Sequence, residues 1–464
     1  MPTIHFLPFQ KSIKTDGRRT LLELARELGL PLQAVCGGKK ICGRCRVIIE
    51  EAREPLPAPM ERERETLGDL VEKGYRLACE TVLTGKARVR IPEESQTRPP
   101  PILTSSGFGE VPVRLQPAVE PYFLTVPPPV LEKVTADRER LLEALEAAYG
   151  LKKIAVDPRI LAQLPQTLRA RRHQVTVVVR NGREVVGLFP GREERLIGLA
   201  VDIGTTTLVV YLLDLQSGDR LAVSSALNPQ VHFGDDIISR LAFCQRDPEG
   251  AIQLREAVRA GINDLIGRAV EKAGVRPELI QEAAVAGNTA MHHLFLGLET
   301  QFLARAPYPP AVQGGVFVKG REVGLAINPS ATVQMLPLKA GFVGSDTIAD
   351  ILATGLHKSS RVRLLIDLGT NGEIVLGNKD RLLCCSTAAG PAFEGGHILW
   401  GMRASPGAVE KVRMDPETME ISLDTIDDQP PQGLCGSGIL SLVAEMIRGG
   451  VLLAKGNFNP ALRS

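Results

Sequence analysis

Four cysteines near the start of the chain constrain it more than any other feature. Cys36 and Cys42 have five residues between them, Cys42 and Cys45 have two, and Cys79 follows after thirty-three more. Four thiolates are the ligand set that a [2Fe-2S] cluster needs. A structural zinc site is the competing arrangement, but zinc ribbons and knuckles offer two close pairs. Here one ligand sits six positions ahead of the next and another stands alone. The loop CGGKKICGRC is dense in glycine, which gives its backbone access to positive φ and brings amide N–H groups toward the cluster sulfurs. Lys39, Lys40 and Arg44 add positive charge, which favours the reduced, more negative state and offers a docking point for an acidic partner. The fold must carry Cys79, in YRLACET, back to this loop. The chemistry expected is one-electron transfer.

The rest of the composition excludes more than it selects. A chain of 464 residues is too long for one ordinary core and suggests about three domains. With 44% hydrophobic and 23% charged residues and a net charge of +2, it has no field that would gather nucleic acid or anionic lipid, and neither is expected as a partner. No run approaches the roughly 20 apolar residues of a membrane span. Met1 to Gln10 has no charged region followed by a long apolar one, so a cytoplasmic protein is expected. In a reducing cytosol, clustered cysteines mean metal rather than a disulfide framework. Cys244, Cys384, Cys385 and Cys435 lie in apolar surroundings and read as small core residues with no chemical role.

Residues 1–92 read as short strands around one helix: Ile4 to Phe9 is extended, Thr20 caps LLELAREL, Gly29 and Pro31 stop it, and RVIIEE and ARVRIP add strands. From 93 to 129 the prolines, Pro99 to Pro101 and Pro127 to Pro129 among them, favour an extended, semi-rigid linker. Residues 130–195 suit a small α+β module, with a helix in ADRERLLEALEAAYG and a hairpin turning at Asn181-Gly182. From 196 to 464, β-rich runs alternate with long helical stretches such as IQLREAVRAGINDLIGRAVEKAG, which argues an α/β domain.

Two segments of that last region are alike. LAVDIGTTTLVVYLLDL and LLIDLGTNGEIVLGN each run from an apolar strand through Asp, an apolar residue and Gly-Thr into a second strand, and their aspartates, Asp202 and Asp367, are 165 positions apart. The pattern predicts a hairpin whose turn exposes N–H groups and hydroxyls to phosphate oxygens. Aspartates at the strand ends can hold Mg²⁺ through water or position an attacking water. The segment GLCGSGILSLVAEMI reads as a glycine turn opening a helix, either beside a nucleotide or as a close helix-to-strand contact. His292 and His293 read as core residues rather than ligands.

The first cysteine spacing resembles the adrenodoxin-like branch of [2Fe-2S] ferredoxins, which implies a β-grasp fold. The repeated Asp-x-Gly-Thr hairpins resemble the acetate kinase, sugar kinase, Hsp70 and actin superfamily, whose duplicated halves close over ATP. On that resemblance Asp202, Gly204, Thr205, Thr206 and Thr207 form one phosphate loop and Asp367, Gly369, Thr370, Asn371 and Gly372 the other, with ATP and Mg²⁺ between them and the two aspartates in catalytic roles. Together with AGNTAMHHLFLG and STAAGPAFEGGHI, these features resemble the reductive activators of corrinoid proteins, ferredoxin-ATPase fusions in the same domain order.

The resemblance implies a multidomain α/β and α+β protein with a β-grasp ferredoxin domain, a small α+β middle domain and an actin-like ATPase domain. It implies an ATP-dependent electron-transfer activase that reduces Co(II) to Co(I) in a corrinoid iron-sulfur or corrinoid methyl-carrier protein, reloaded by an upstream electron donor. Members of that family continue past the position corresponding to Ser464, so an incomplete ATPase domain is expected here. The alternative is a ferredoxin-type electron-transfer protein with a degenerate, non-hydrolysing ATPase scaffold.

Overall fold

The computed structural model describes residues 2–33, 40, 43–96, 114–132, 134–234, 236–369, 371–388, 398, 400–402, 404–416 and 418–462. In the first 96 residues, five strands form one sheet in the order Lys11–Lys14, Thr3–Leu7, Ala87–Arg90, Arg46–Ala52, Tyr75–Leu77. Only the central pair, Thr3–Leu7 with Ala87–Arg90, is parallel, so the chain crosses over the sheet between them. The helix Leu21–Glu27 covers that crossover. It starts where the sequence predicts, in a capping box: the Thr20 hydroxyl accepts from Glu23 N while the Glu23 carboxylate accepts from Thr20 N. Leu21, Leu22, Leu24 and Ala25 face the sheet and pack on Ile4, Phe6, Val47 and Val89. This is a β-grasp arrangement.

The segment expected to be a linker up to residue 129 departs from that expectation. Val119–Thr125 is a strand and pairs along its whole length with Gln174–Arg180. Its Pro121 is tolerated because the strand lies at the edge of a four-stranded sheet, where one side needs no N–H donor. The order of that sheet is Val119–Thr125, Gln174–Arg180, Glu184–Pro190, Ala155–Val156. The turn between its two long strands has positive φ at both Asn181 (50°) and Gly182 (64°), the conformation that an Asn-Gly hairpin requires. Both faces of Gln174–Arg180 are covered, which explains its unbroken apolar run. Val175, Val177 and Val179 pack under the helices Asp137–Tyr149 and Pro158–Ala170, while Val178 joins the core of the following sheet.

That following sheet has six strands, ordered Arg220–Leu227, Thr207–Asp214, Ile197–Ile203, Ile280–Gly287, Thr332–Met335, Val316–Lys319. The first three form an antiparallel meander, and Ile197–Ile203, Ile280–Gly287 and Thr332–Met335 run parallel. The 24-residue helix Gly250–Ala273 lies across the meander with Leu254, Val258, Ile262, Leu265 and Ile266 inward, and ends at Gly274 with φ of 62°. Beyond it the pattern begins again: Arg363–Leu368, Asn371–Gly377 and Leu382–Ala388 make a second antiparallel meander. This second sheet is less covered. Leu364, Ile366 and Leu368 are each more than half exposed, and Cys384 and Cys385 are exposed. Those two cysteines are therefore not core residues, because their strand is an edge of a small sheet. Cys244 is half-buried, and Cys435 is buried as expected. Among the described residues no helix is long and apolar enough to cross a membrane.

Candidate functional site

Cys45 and Cys79 arrive together because two strands bring them. Arg46 pairs with Leu77, and one step further along the same ladder Ala78 N donates to Cys45 O at 2.8 Å. Both cysteines are buried, 2% and 5% exposed. A buried ion pair holds the second strand. The fully enclosed Glu63 carboxylate accepts from Arg76 Nε and Nη2, each at 3.0 Å, and from Leu77 N at 2.6 Å. Gly43, between Cys42 and Cys45, has φ of 63°, and a Cβ there would come within 2.4 Å of Thr66 Cγ2. Only glycine fits that position on both counts. Cys36 and Cys42 lie outside the described residues. Two buried cysteines on neighbouring, hydrogen-bonded segments, with two more nearby in sequence, supply the ligand types of an iron–sulfur centre.

The two Asp-x-Gly-Thr segments are both hairpin turns. Asp202 pairs with Val209 and Gly204 N donates to Thr207 O at 2.9 Å; Asp367 pairs with Glu373 and Gly369 N donates to Asn371 O at 3.1 Å. Thr370 lies outside the described residues, and Gly372 is buried against Thr387 in the second hairpin. The first loop is held from behind by residues that the sequence reading did not single out. Asn228 Nδ2 donates to Gly204 O at 2.8 Å and Asn228 N to Thr206 O at 2.7 Å. The wholly buried Arg240 donates to Thr205 O, to Gly234 O and to Gln230 Oε1. Asn288 caps the helix Thr289–Leu296 through its Oδ1 and donates to Thr205 Oγ1 at 3.0 Å through its Nδ2. It lies in the AGNTAMHH segment, so a signal was present in the sequence, though not its role.

The structure brings Asp202 and Asp367 into one electrostatic cluster and adds three further carboxylates. Burial first, then the charges of Asp346 and Asp367, push Asp202 up to about 6. Asp350 rises to about 7 through burial, the charges of Asp367 and Asp346, and a hydrogen bond shared with Asp367. Glu373 also rises to about 7, again through burial first, against the opposing hydrogen bond from Ser386 Oγ at 3.0 Å. Burial likewise raises Asp346. Asp346 and Asp350 ride on the helix Ser345–Ala353, which is pinned to the end of Ile280–Gly287 by Ser345 Oγ donating to Gly287 O at 2.8 Å. Carboxylates crowded until they hold protons near neutrality are what a cation relieves, but among the described residues no three of them close on a direct metal site, so the set suits a Mg²⁺ held through water and phosphate rather than a protein cage.

The glycine segment that opens the helix Gly436–Arg448 makes a tight packing contact: a Cβ on Gly438, in the first turn of the helix, would lie 2.0 Å from Val409 O. His292 and His293 are both fully buried in the core, as expected. Burial and its neighbour lower His292 to about 4. His293 bonds Thr289 O through Nδ1 and accepts Ala311 N at Nε2, which fixes a neutral ring.

A β-grasp domain with paired buried thiols, joined to a duplicated hairpin fold with carboxylates at both turns, defines a ferredoxin fused to an actin-like nucleotide-binding domain. Comparison with known proteins matches four consecutive segments, and there the linker region takes in the small α+β module and the middle region the first half of the nucleotide fold. Residues 6–84 match the 2Fe-2S iron-sulfur cluster binding domain, 110–195 the RACo linker region, 197–359 the RACo middle region, and 361–464 the C-terminal domain of RACo, the ASKHA domain. The chain is 33% identical over 451 residues to the corrinoid activation enzyme RamQ of Eubacterium limosum, covering 97% of this chain and 71% of that protein. It is 26% identical over 286 residues to the [Co(II) methylated amine-specific corrinoid protein] reductase of Methanosarcina barkeri, covering 55% of this chain and 52% of that protein. A solved structure titled reductive activator for corrinoid, iron-sulfur protein superposes with a TM-score of 0.66 at 34% identity, over 99% of this chain and 75% of that one. The chain belongs to the RACo family, the reductive activators of corrinoid proteins.

Proposed function

We propose that this protein is an ATP-dependent reductive activator that returns the cobalt of a corrinoid protein from Co(II) to Co(I). The observation that carries the reading is the joining, in one chain, of a cluster-binding ferredoxin domain to a nucleotide fold with acidic groups at both phosphate turns. The four thiolates of Cys36, Cys42, Cys45 and Cys79 hold the [2Fe-2S] cluster, which when bound supplies a one-electron carrier. Gly204 to Thr207 and Gly369 to Gly372 cradle the phosphates of ATP. Asp202 and Asp367 hold Mg²⁺ through water and orient the attacking water. Glu373 and Asp350, poised near pH 7, are suited to take up its proton.

Coupling is needed because an unfavourable one-electron step loses a factor of ten in equilibrium for each 59 mV. A gap of about 120 mV costs roughly 2.8 kcal/mol, within the roughly 1–3 kcal/mol typical of coupling between two sites. The partner is a corrinoid iron-sulfur or methyl-carrier protein, the electrons come from an upstream donor, and the reaction belongs to the cytoplasm. The test is anaerobic mixing of the dithionite-reduced chain with a Co(II) corrinoid protein, read by absorbance with and without Mg-ATP. Co(I) formed only with ATP supports the reading. A cluster that reduces normally but gives no ATP-dependent Co(I) leaves an electron-transfer module on a non-hydrolysing scaffold.

A further inference from the structure

Arg44 lies between Cys42 and Cys45, on the cluster side of the ferredoxin domain, yet its guanidinium leaves that domain and donates to Gly401 O. Gly401 belongs to the second half of the nucleotide region. Its neighbours are laced to the strand before the last long helix: Met402 N donates to Leu434 O at 2.8 Å and Leu434 N to Trp400 O at 2.7 Å. Leu434 is followed at once by the glycine turn that opens Gly436–Arg448.

The charge of the same domain is also felt in the first half. His232 is held below its usual value by burial and then by the cations Arg26 and Lys11, both on the ferredoxin domain. His232 closes the short turn Pro229–His232, whose capping residue is Asn228, the side chain that holds Gly204. The ferredoxin domain thus meets the second half of the nucleotide fold through Arg44, while its cations Arg26 and Lys11 act electrostatically on the His232 turn of the first half.

We propose that the ferredoxin domain docks on the second half of the nucleotide fold, with Arg44 as the positioning residue, so that nucleotide binding alters the reduction equilibrium of the cluster. The inference rests on the nucleotide-binding reading given above. A fixed positive charge beside a cluster favours its reduced form, and any motion of one half against the other moves that charge, because the guanidinium is tethered to the far half by its bond to Gly401.

The experiment uses the full chain with its cluster loaded. The reduction equilibrium is titrated spectroscopically with and without Mg-ADP, for the unaltered protein, Arg44→Ala and Arg44→Lys, and Mg-ADP binding is measured by calorimetry on the same samples. Amide hydrogen exchange at Trp400 to Met402 and at Leu434, without nucleotide, reports the docking itself. Docking predicts faster exchange there in Arg44→Ala. Coupling predicts that Mg-ADP moves the equilibrium of the unaltered protein by about tenfold, equivalent to 59 mV, that Arg44→Ala loses this response while still binding Mg-ADP, and that Arg44→Lys keeps part of it. Mg-ADP that binds without moving the equilibrium of the unaltered protein overturns the inference and leaves the nucleotide reading intact. So does an equal response in Arg44→Ala, or exchange at 400–402 that the substitution does not change. Absence of Mg-ADP binding removes both.

Discussion

Replacing Asp350 by Asn tests whether the carboxylates around the two phosphate turns crowd one another as the structure indicates. Asp350 shares a hydrogen bond with Asp367 and is raised from 3.8 to about 7. The folded state therefore keeps a proton that the unfolded state releases near pH 4. The stability associated with this group is fully present below the unfolded value and is lost as pH rises through the folded value near 7. A shift of roughly three units at about 1.4 kcal/mol each sets an upper bound of about 4 kcal/mol. Solvent reaches the half-buried side chain, and screening reduces the expected cost above pH 7 to about 1–2 kcal/mol.

Asparagine has no charge to lose and can still donate to Asp367. The variant should match the unaltered protein below about pH 4, gain on it steadily as pH rises, and exceed it at pH 8 by about 2–8 °C in the transition of the nucleotide domain. The assay is differential scanning calorimetry of the full chain from pH 4 to 8 in a chelator, repeated with Mg²⁺, which should narrow the gap by stabilising the unaltered protein more. A variant less stable than the parent at pH 8, or a difference that does not change with pH, would show that these groups do not repel one another.

Three further outcomes follow from the two sites. Cys79→Ala should lose the visible absorbance of the [2Fe-2S] cluster, and an unchanged spectrum would remove Cys79 from the ligand set. Asp202→Asn and Asp367→Asn should each abolish the ATP hydrolysis stimulated by a Co(II) corrinoid protein while leaving the cluster spectrum intact; a collapsed spectrum would mean that the two sites are not separable. Glu63→Ala leaves Arg76 buried without its anion, which costs about 3–5 kcal/mol and should sharply lower the urea midpoint of cluster loss. A midpoint shift worth less than 1 kcal/mol would show that solvent or another residue takes over from Glu63.

What could be read from the sequence follows the range of the interactions that determine it. The Thr20 capping box and the Asn181-Gly182 turn are written within four residues, so local chemistry sufficed. The Asp-x-Gly-Thr hairpins were legible because the pattern occurs twice. The three added carboxylates were not, since Asp346 and Asp350 reach the site only when Ser345 fastens their helix to Gly287, and Glu373 only through its pairing with Asp367. The strand Val119–Thr125 hid behind its prolines because edge position, a property of the whole sheet, is what permits Pro121. Cys384 and Cys385 misled in the opposite direction: LLCCSTA is apolar, but its strand lies where little covers it.

The ladder joining Cys45 to Ala78 has a consequence for how the protein matures. Backbone pairing and the Glu63 carboxylate join the two segments that carry these cysteines through hydrogen bonds of the protein's own. Those bonds do not pass through the cluster, so cofactor assembly can follow folding of this part of the sheet instead of driving it. Such a protein should tolerate chelation and be reloaded afterwards without passing through the unfolded state.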